Sequence, residues 1–324
     1  MSAWQFRNLK DRSSPVQPAP YGRLGPLPTT AISNGLPRNL ILLLLRALAF
    51  LMLVFVVPQK LPPANASEPA LVIASDAGER RFQLAELLKR PDCVSMRVNG
   101  DIYHNAVEYR AVPLLKLLDD KFSGRVDTVE AHASDGFVSQ IPLALITRGA
   151  SGGSVAWIAV EDPVRPWPPL PHKGESAGPF YLIWEHPERS GVSREQWPYN
   201  LVRLSFAESP VHRWPQLGLP AELGPNLAAR RGQDVFITQC LPCHQLDGGG
   251  ASAMGPDLNR PMNPTQYLTE AGLRGLIRAP RSVRTWPNQQ MAGFDKSTLP
   301  DADLNAVVAY LRLMSQKSRL APAP

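Results

Sequence analysis

Cys240-Leu241-Pro242-Cys243-His244 is the stretch of this 324-residue chain whose residue types and spacing specify a chemistry. Two thiols held by a short turn can add across the two vinyl groups of one porphyrin, and a histidine immediately after them then lies under the iron. This is the attachment pattern of c-type haem. A CxxC pair can also be a redox dithiol, half of a zinc site or a disulfide. A dithiol of the thioredoxin kind belongs in a βαβ unit, and the surrounding pattern offers none. A zinc site needs two more ligands, yet no cysteine follows Cys243 and no histidine follows His244. The expectation is one haem c, joined through Cys240 and Cys243, with His244 as an axial ligand of the iron.

The elements around the motif must position it. Residues 226–238 read as a helix, with Gly232 and Phe236 four apart on one face. Pro300-Asp301 opens a last helix, with Leu304, Val307, Val308, Leu311 and Met314 at helical spacing and Tyr310 as its aromatic. A further helix is expected over 264–278. Gly255-Pro256-Asp257-Leu258 and Gln290-Met291-Ala292-Gly293-Phe294 are loops.

Taken together these residues resemble a class I cytochrome c. The resemblance implies that Gly232 and Phe236 pack the first helix on the last, and that the Pro256 carbonyl accepts the free N–H of His244. It also implies that Met291, 47 residues after His244, is the second axial ligand, although Ala292 stands where a proline usually follows. Met254, Met262 and Met314 are the weaker candidates. A His/Met pair leaves no open iron position and favours electron transfer over oxygen chemistry. Arg278, Arg281, Arg284 and Trp286 precede Met291 and are candidate donors to haem propionates, of which Arg278 and Trp286 are singled out as cofactor-binding. A solvated basic face is the equal alternative.

The net charge of +6 does not argue for nucleic acid. Residues 1–66 hold seven basic residues and one acid, and the remainder is formally neutral. A Pro-rich lead, an apolar run over 47–57 and an Ala64-Asn65-Ala66 site read as an export signal. Residues 39–57 read alternatively as an uncleaved anchor with Arg46 inside it, the only membrane contact expected. Either reading places 67–324 in the periplasm, where haem c is attached.

Residues 67–215 alternate strands with short helices. Leu71–Ala74, Val94–Val98, Thr128–Ala133, Phe137–Ile141, Ala156–Val160, Phe180–Trp184 and Leu201–Phe206 read as strands, with a turn at Ser134-Asp135-Gly136. Gln83–Lys89 reads as a helix, and Val112–Leu118 as another, with Pro113 in its first turn. The loop 162–171, rich in proline and carrying Trp167, reads as exposed or clamped, and as a possible docking segment. His104, His132, His172, His186 and His212 show no metal-ligand spacing.

Val112-Pro113-Leu114, Leu117-Leu118, Ala133-Ser-Asp135-Gly136-Phe137 and Ile141-Pro142-Leu143 resemble the molybdopterin-binding domain of the sulfite oxidase family, over about 90–206. The resemblance implies Cys93, 20 residues before Pro113, as a molybdenum ligand. Ala111 replaces the family's glycine, and 177–182 lacks the arginine that grips the pterin. A scaffold of that fold without molybdopterin is therefore the favoured reading.

The expectation is a multidomain chain: a signal or anchor over 1–66, an α+β, β-rich domain over 67–215, a linker over 216–225, and an all-α cytochrome c domain over 226–318. Its function is electron transfer to and from a redox partner protein, with the first domain docking or scaffolding. The alternative is a molybdenum-pterin oxidoreductase, sulfite-dehydrogenase-like, that passes electrons from its substrate to its own haem.

Overall fold

The computed structural model describes residues 68–320, apart from 100–101, 104, 119–124, 172, 221–226 and 288. The export signal or anchor expected over 1–66 lies outside the described residues. No helix among those described is long and apolar enough to cross a membrane.

Two separate hydrophobic cores lie within one compact unit, Ser67–Pro324. The first belongs to nine strands: β1 (Ala70–Ser75), β2 (Gly78–Gln83), β3 (Val94–Asn99), β4 (Ala106–Pro113), β5 (Thr128–Ala133), β6 (Val138–Pro142), β7 (Val155–Val160), β8 (Phe180–Glu185) and β9 (Leu201–Ala207). They form a five-stranded sheet in the order β2-β1-β9-β5-β6 and a four-stranded sheet in the order β3-β4-β7-β8. The first sheet closes when β1 pairs parallel with β9, Ile73 opposite Leu204. Alternating apolar residues of both sheets face one interior, and β8 is buried from Phe180 to Trp184.

Two short helices serve this core. α1 (Leu84–Lys89) buries Leu84 and Leu87, and the Gln83 N–H before its first turn donates to Glu86 Oε2 (3.1 Å). α2 (Leu143–Thr147) follows β6 and buries Leu143, Leu145 and Ile146.

The helix expected over 112–118 is corrected. Val112 and Pro113 end β4, opposite Ile158 and Trp157, and only Leu114–Lys116 forms a 3-10 turn. β3 stops pairing at Ala111, so Pro113 lies past that neighbour and its missing N–H is not needed there.

The loop 162–171 is clamped. Trp167 is buried, with its ring 5.0 Å from that of Tyr109, and its backbone N–H donates to Glu161.

The second core is helical. α3 (Pro210–Arg213) leads from β9 into it. α4 (Leu227–Val235) follows, then a π-helical turn over Phe236–Cys240. α5 (Pro264–Tyr267), α6 (Glu270–Arg278) and α7 (Pro280–Val283) precede α8 (Asp301–Leu320).

The single helix expected over 264–278 is broken. Leu268 is extended, and the Thr269 side chain restarts the next helix by accepting from the Gly272 N–H.

Of the segment expected to be a linker, 216–225, the described start is bound. The Leu217 carbonyl accepts from Tyr310 Oη (2.6 Å) and Gln233 Nε2 (2.8 Å), while Lys317 donates to the Gln216 and Gly218 carbonyls.

Candidate functional site

The attachment motif occupies the end of the first helical passage. α4 crosses α8 where Gly232 meets Ala306 and Tyr310. A Cβ at Gly232 would fall inside contact distance of the Ala306 carbonyl, so only glycine permits this approach. One turn on, the ring of Phe236 lies 5.4 Å from that of Tyr310. The chain then tightens into the π-turn and ends in the motif, with Leu241 and Pro242 buried and both cysteines half-buried free thiols.

The backbone curls so that the Cys240 carbonyl accepts from the N–H groups of Cys243 (3.1 Å) and His244 (2.9 Å). Burial, with Glu195 adding, pushes both thiols up to about 12, so they are protonated at neutral pH.

His244 is oriented from behind. Its Nδ1 lies 2.8 Å from the Pro256 carbonyl oxygen. A carbonyl only accepts, so Nδ1 carries the proton and Nε2 keeps its lone pair. Burial lowers the imidazole pKa, against the opposing Pro256 bond and Asp257 charge, and so favours the neutral ring a metal requires. Gly255 lets the backbone pass against the ring, since a Cβ there would meet its atoms.

Asp257 builds the loop that presents Pro256. Its carboxylate accepts from the N–H groups of Asp247, Gly248, Asn259 and Arg260. Asn259 and Asn263 then tie this loop to α8, donating to the carbonyls of Met314 and Leu311.

Met291 is half-buried on the loop between α7 and α8. The loop is pinned just beyond it. Phe294 N–H donates to the Ile277 carbonyl (3.0 Å), and Gly293 passes so close to the Arg278 carbonyl that a side chain would not fit. The Arg278 guanidinium donates to the carbonyls of Phe294, Asp295 and Leu299 and to the Asp301 carboxylate. It clasps the Met291 loop; the sequence offers the same residue as a propionate donor. Trp286 is exposed beneath Arg284, whose guanidinium carbon is 4.9 Å from the ring centroid. Of the other methionines, Met254 and Met262 are exposed and Met314 is fully buried in the core.

These residues fit a haem. Two thiols lie on one turn, a neutral imidazole offers Nε2, and the side-chain amide of Gln289, two residues before Met291, is buried with neither polar atom partnered. Met254, Met262, Tyr267, Val283 and Trp286 carry the large apolar side chains that the helical region leaves exposed.

Cys93 is placed elsewhere, half-buried at the edge of the first core with its Sγ 3.5 Å from Arg110 Nη2. No cluster of three or more His, Cys, Asp or Glu suited to a metal occurs among the described residues. The stretch 177–182, which the sulfite oxidase resemblance aligns with the pterin grip, is core: Ala177, Phe180, Tyr181 and Leu182 are buried and offer a cofactor no charged donor. The stretch 177–182 therefore supplies no charged grip for a pterin.

Residues 229–315 match the cytochrome c family model. The helical region is thus a cytochrome c domain, which implies haem c binding, electron transfer and a redox partner protein.

The sequence did not reveal the role of Asp257, although a single acid beside the Gly-Pro turn was visible there. It gave no sign that the β5–β6 turn packs on the attachment motif. There Val138 N–H donates to the Pro242 carbonyl (3.1 Å), and Ser252 Oγ donates to the Gly136 carbonyl (2.9 Å).

Proposed function

We propose that this chain is an exported monohaem c-type cytochrome that transfers single electrons between proteins. Cys240 and Cys243 would hold the porphyrin, His244 and Met291 would ligate its iron, and the periplasm is its compartment. The observation that carries this reading is the 2.8 Å contact of His244 Nδ1 with the Pro256 carbonyl. It frees Nε2 on the turn that also bears both thiols. When bound, haem supplies a reversible one-electron couple. The chain's own contribution is to fix the imidazole tautomer, to anchor the Met291 loop through Arg278, and to exclude water with the Phe236–Tyr310 packing.

The sheet region, over 67–215, is a sulfite-oxidase-like scaffold that positions the cytochrome region, over 226–318, for its partner. No step is assigned to Cys93.

The test is iron and molybdenum content of the purified protein with its absorption spectrum. One iron per chain, negligible molybdenum and a low-spin ferrous spectrum that does not take up CO are expected. One molybdenum per chain would favour the enzymatic alternative, and a high-spin CO-binding form would remove Met291 as ligand. Met291→Ala should convert the protein to a CO-binding form without loss of covalent haem.

A further inference from the structure

The attachment motif is not open to solvent on the side that faces the sheet region. The turn between β5 and β6 lies against it, bonded from Val138 N–H to the Pro242 carbonyl and from Ser252 Oγ to the Gly136 carbonyl. Gly136 also packs on Met254, whose Cγ would lie 3.8 Å from a Cβ at that position. A second turn, Arg194–Gln196, is held to β6 by Ser139 Oγ donating to the Glu195 carbonyl (2.7 Å). The Glu195 charge reaches both Cys240 and Cys243. The thioether edge of a porphyrin is by construction the edge nearest these two cysteines.

A different segment leads along the chain into Met291. Val283 and Trp286 are exposed, Arg284 lies over the Trp286 ring, and Arg281 is exposed with no partner among the described residues. Residues 278–296 hold four basic residues and one acid. Arg278 and Lys296 are engaged by Asp301, so the uncompensated charge is that of Arg281 and Arg284. A small apolar centre with two cationic neighbours is complementary to an acidic protein surface.

We propose that the sheet region is a built-in cover over the thioether edge of the haem, and that electrons cross to external proteins at the Val283–Trp286 face, which takes an acidic redox partner. The inference rests on the haem reading above and adds which edge is used. The cover replaces water and foreign proteins at one edge. The cationic face steers negatively charged partners to the other and raises their encounter rate at low salt.

The full-length holoprotein tests this in two measurements. In the first, a neutral gadolinium chelate is added and proton NMR line widths are read. The thioether methyl resonances should broaden at least threefold less than the indole resonances of Trp286; equal broadening overturns the cover. In the second, one electron passes from the reduced protein to hexacyanoferrate(III), giving the oxidised protein and hexacyanoferrate(II), followed by stopped flow. The rate constant should fall as salt rises, and Arg281→Glu should lower it about three- to tenfold at low salt. The same substitution should raise the rate with a cationic cobalt(III) oxidant. An unchanged rate with both oxidants overturns the exit face. A protein that carries no covalent haem has no thioether resonances, and that result would sink the haem reading rather than the choice of edge.

Discussion

The sheet region and the helical region are built on opposite economies. The sheet core is large and self-sufficient: its strands pair along their length, and Tyr109, Trp167 and Tyr181 meet edge to face in its middle. The helical core is small, and much of what holds its loops is polar. Asp257, Asn259, Asn263 and Arg278 spend their side chains on backbone groups of neighbouring segments. Large apolar side chains remain exposed beside them. A region that closes its own core needs nothing from outside. A region that holds its loops with hydrogen bonds and leaves apolar surface open is shaped around a further component.

The sharpest way to break this contrast is to remove the attachment chemistry. Cys240→Ala with Cys243→Ala should reduce covalent haem from one per chain to near zero, read as pyridine haemochrome. The helical transition in a thermal scan should be lost and the sheet signal retained. Loss of both signals together would mean that the two cores are not independent.

The next largest effect concerns the buried join between the regions. Glu130, on β5, accepts from Arg213 Nη1 (2.7 Å) and Gln140 (3.0 Å), with His132 Nε2 at 3.4 Å. Arg213 sits on α3 and stacks on Trp214, which belongs to the helical core. Arg213→Ala leaves a buried carboxylate without its cation and should cost about 3–5 kcal/mol in urea unfolding.

The same carboxylate sets an acid limit. Burial alone would raise its pKa, but His132, Gln140 and Arg213 together bring it down to about 2. Because the folded value is depressed below the ordinary 4.5, the stabilisation is complete above pH 4.5 and is lost as pH falls towards 2. Glu130→Gln should flatten the stability profile in that window, by roughly 3 kcal/mol at its upper end.

Smaller effects sharpen the helical side. Gly232→Ala forces a methyl into the α4–α8 crossing and should cost about 1–3 kcal/mol, read as a lower Tm of the helical transition alone. Tyr310→Phe removes one of two donors to the Leu217 carbonyl and should cost about 1 kcal/mol, since Gln233 still satisfies that oxygen.

The sequence was most legible where a single segment carries its own signal. β1, β3 and β5 to β9 showed apolar runs or alternation, and the CxxCH motif and the pair of Gly232 on α4 with Phe236 at the start of the π-turn need only local spacing. β2 was invisible because Gly78-Glu-Arg-Arg-Phe-Gln83 is polar along its exposed edge; it is a strand through its pairing with β1. β4 was missed because Pro113 reads as the start of a helix, and the proline is tolerated only because β3 has already ended. Arg278 read as a propionate donor or part of a solvated basic face, and its role as a clasp was not visible because its four partners lie 16 to 23 residues away. The contact between the β5–β6 turn and the attachment motif joins residues more than a hundred apart and leaves no periodic trace.

Each region is sealed by its own two ends. β1 waits for β9, whose residue Leu204 is the partner of Ile73. α4 waits for α8, whose Ala306 and Tyr310 receive Gly232. Closing such long loops is slow and comes late. As the chain emerges from its amino end, the cysteines at 240 and 243 are out for some sixty residues before the helix that locks them arrives. The topology therefore writes an interval into the birth of the protein in which both thiols stand on open chain, and the fold can shut only afterwards.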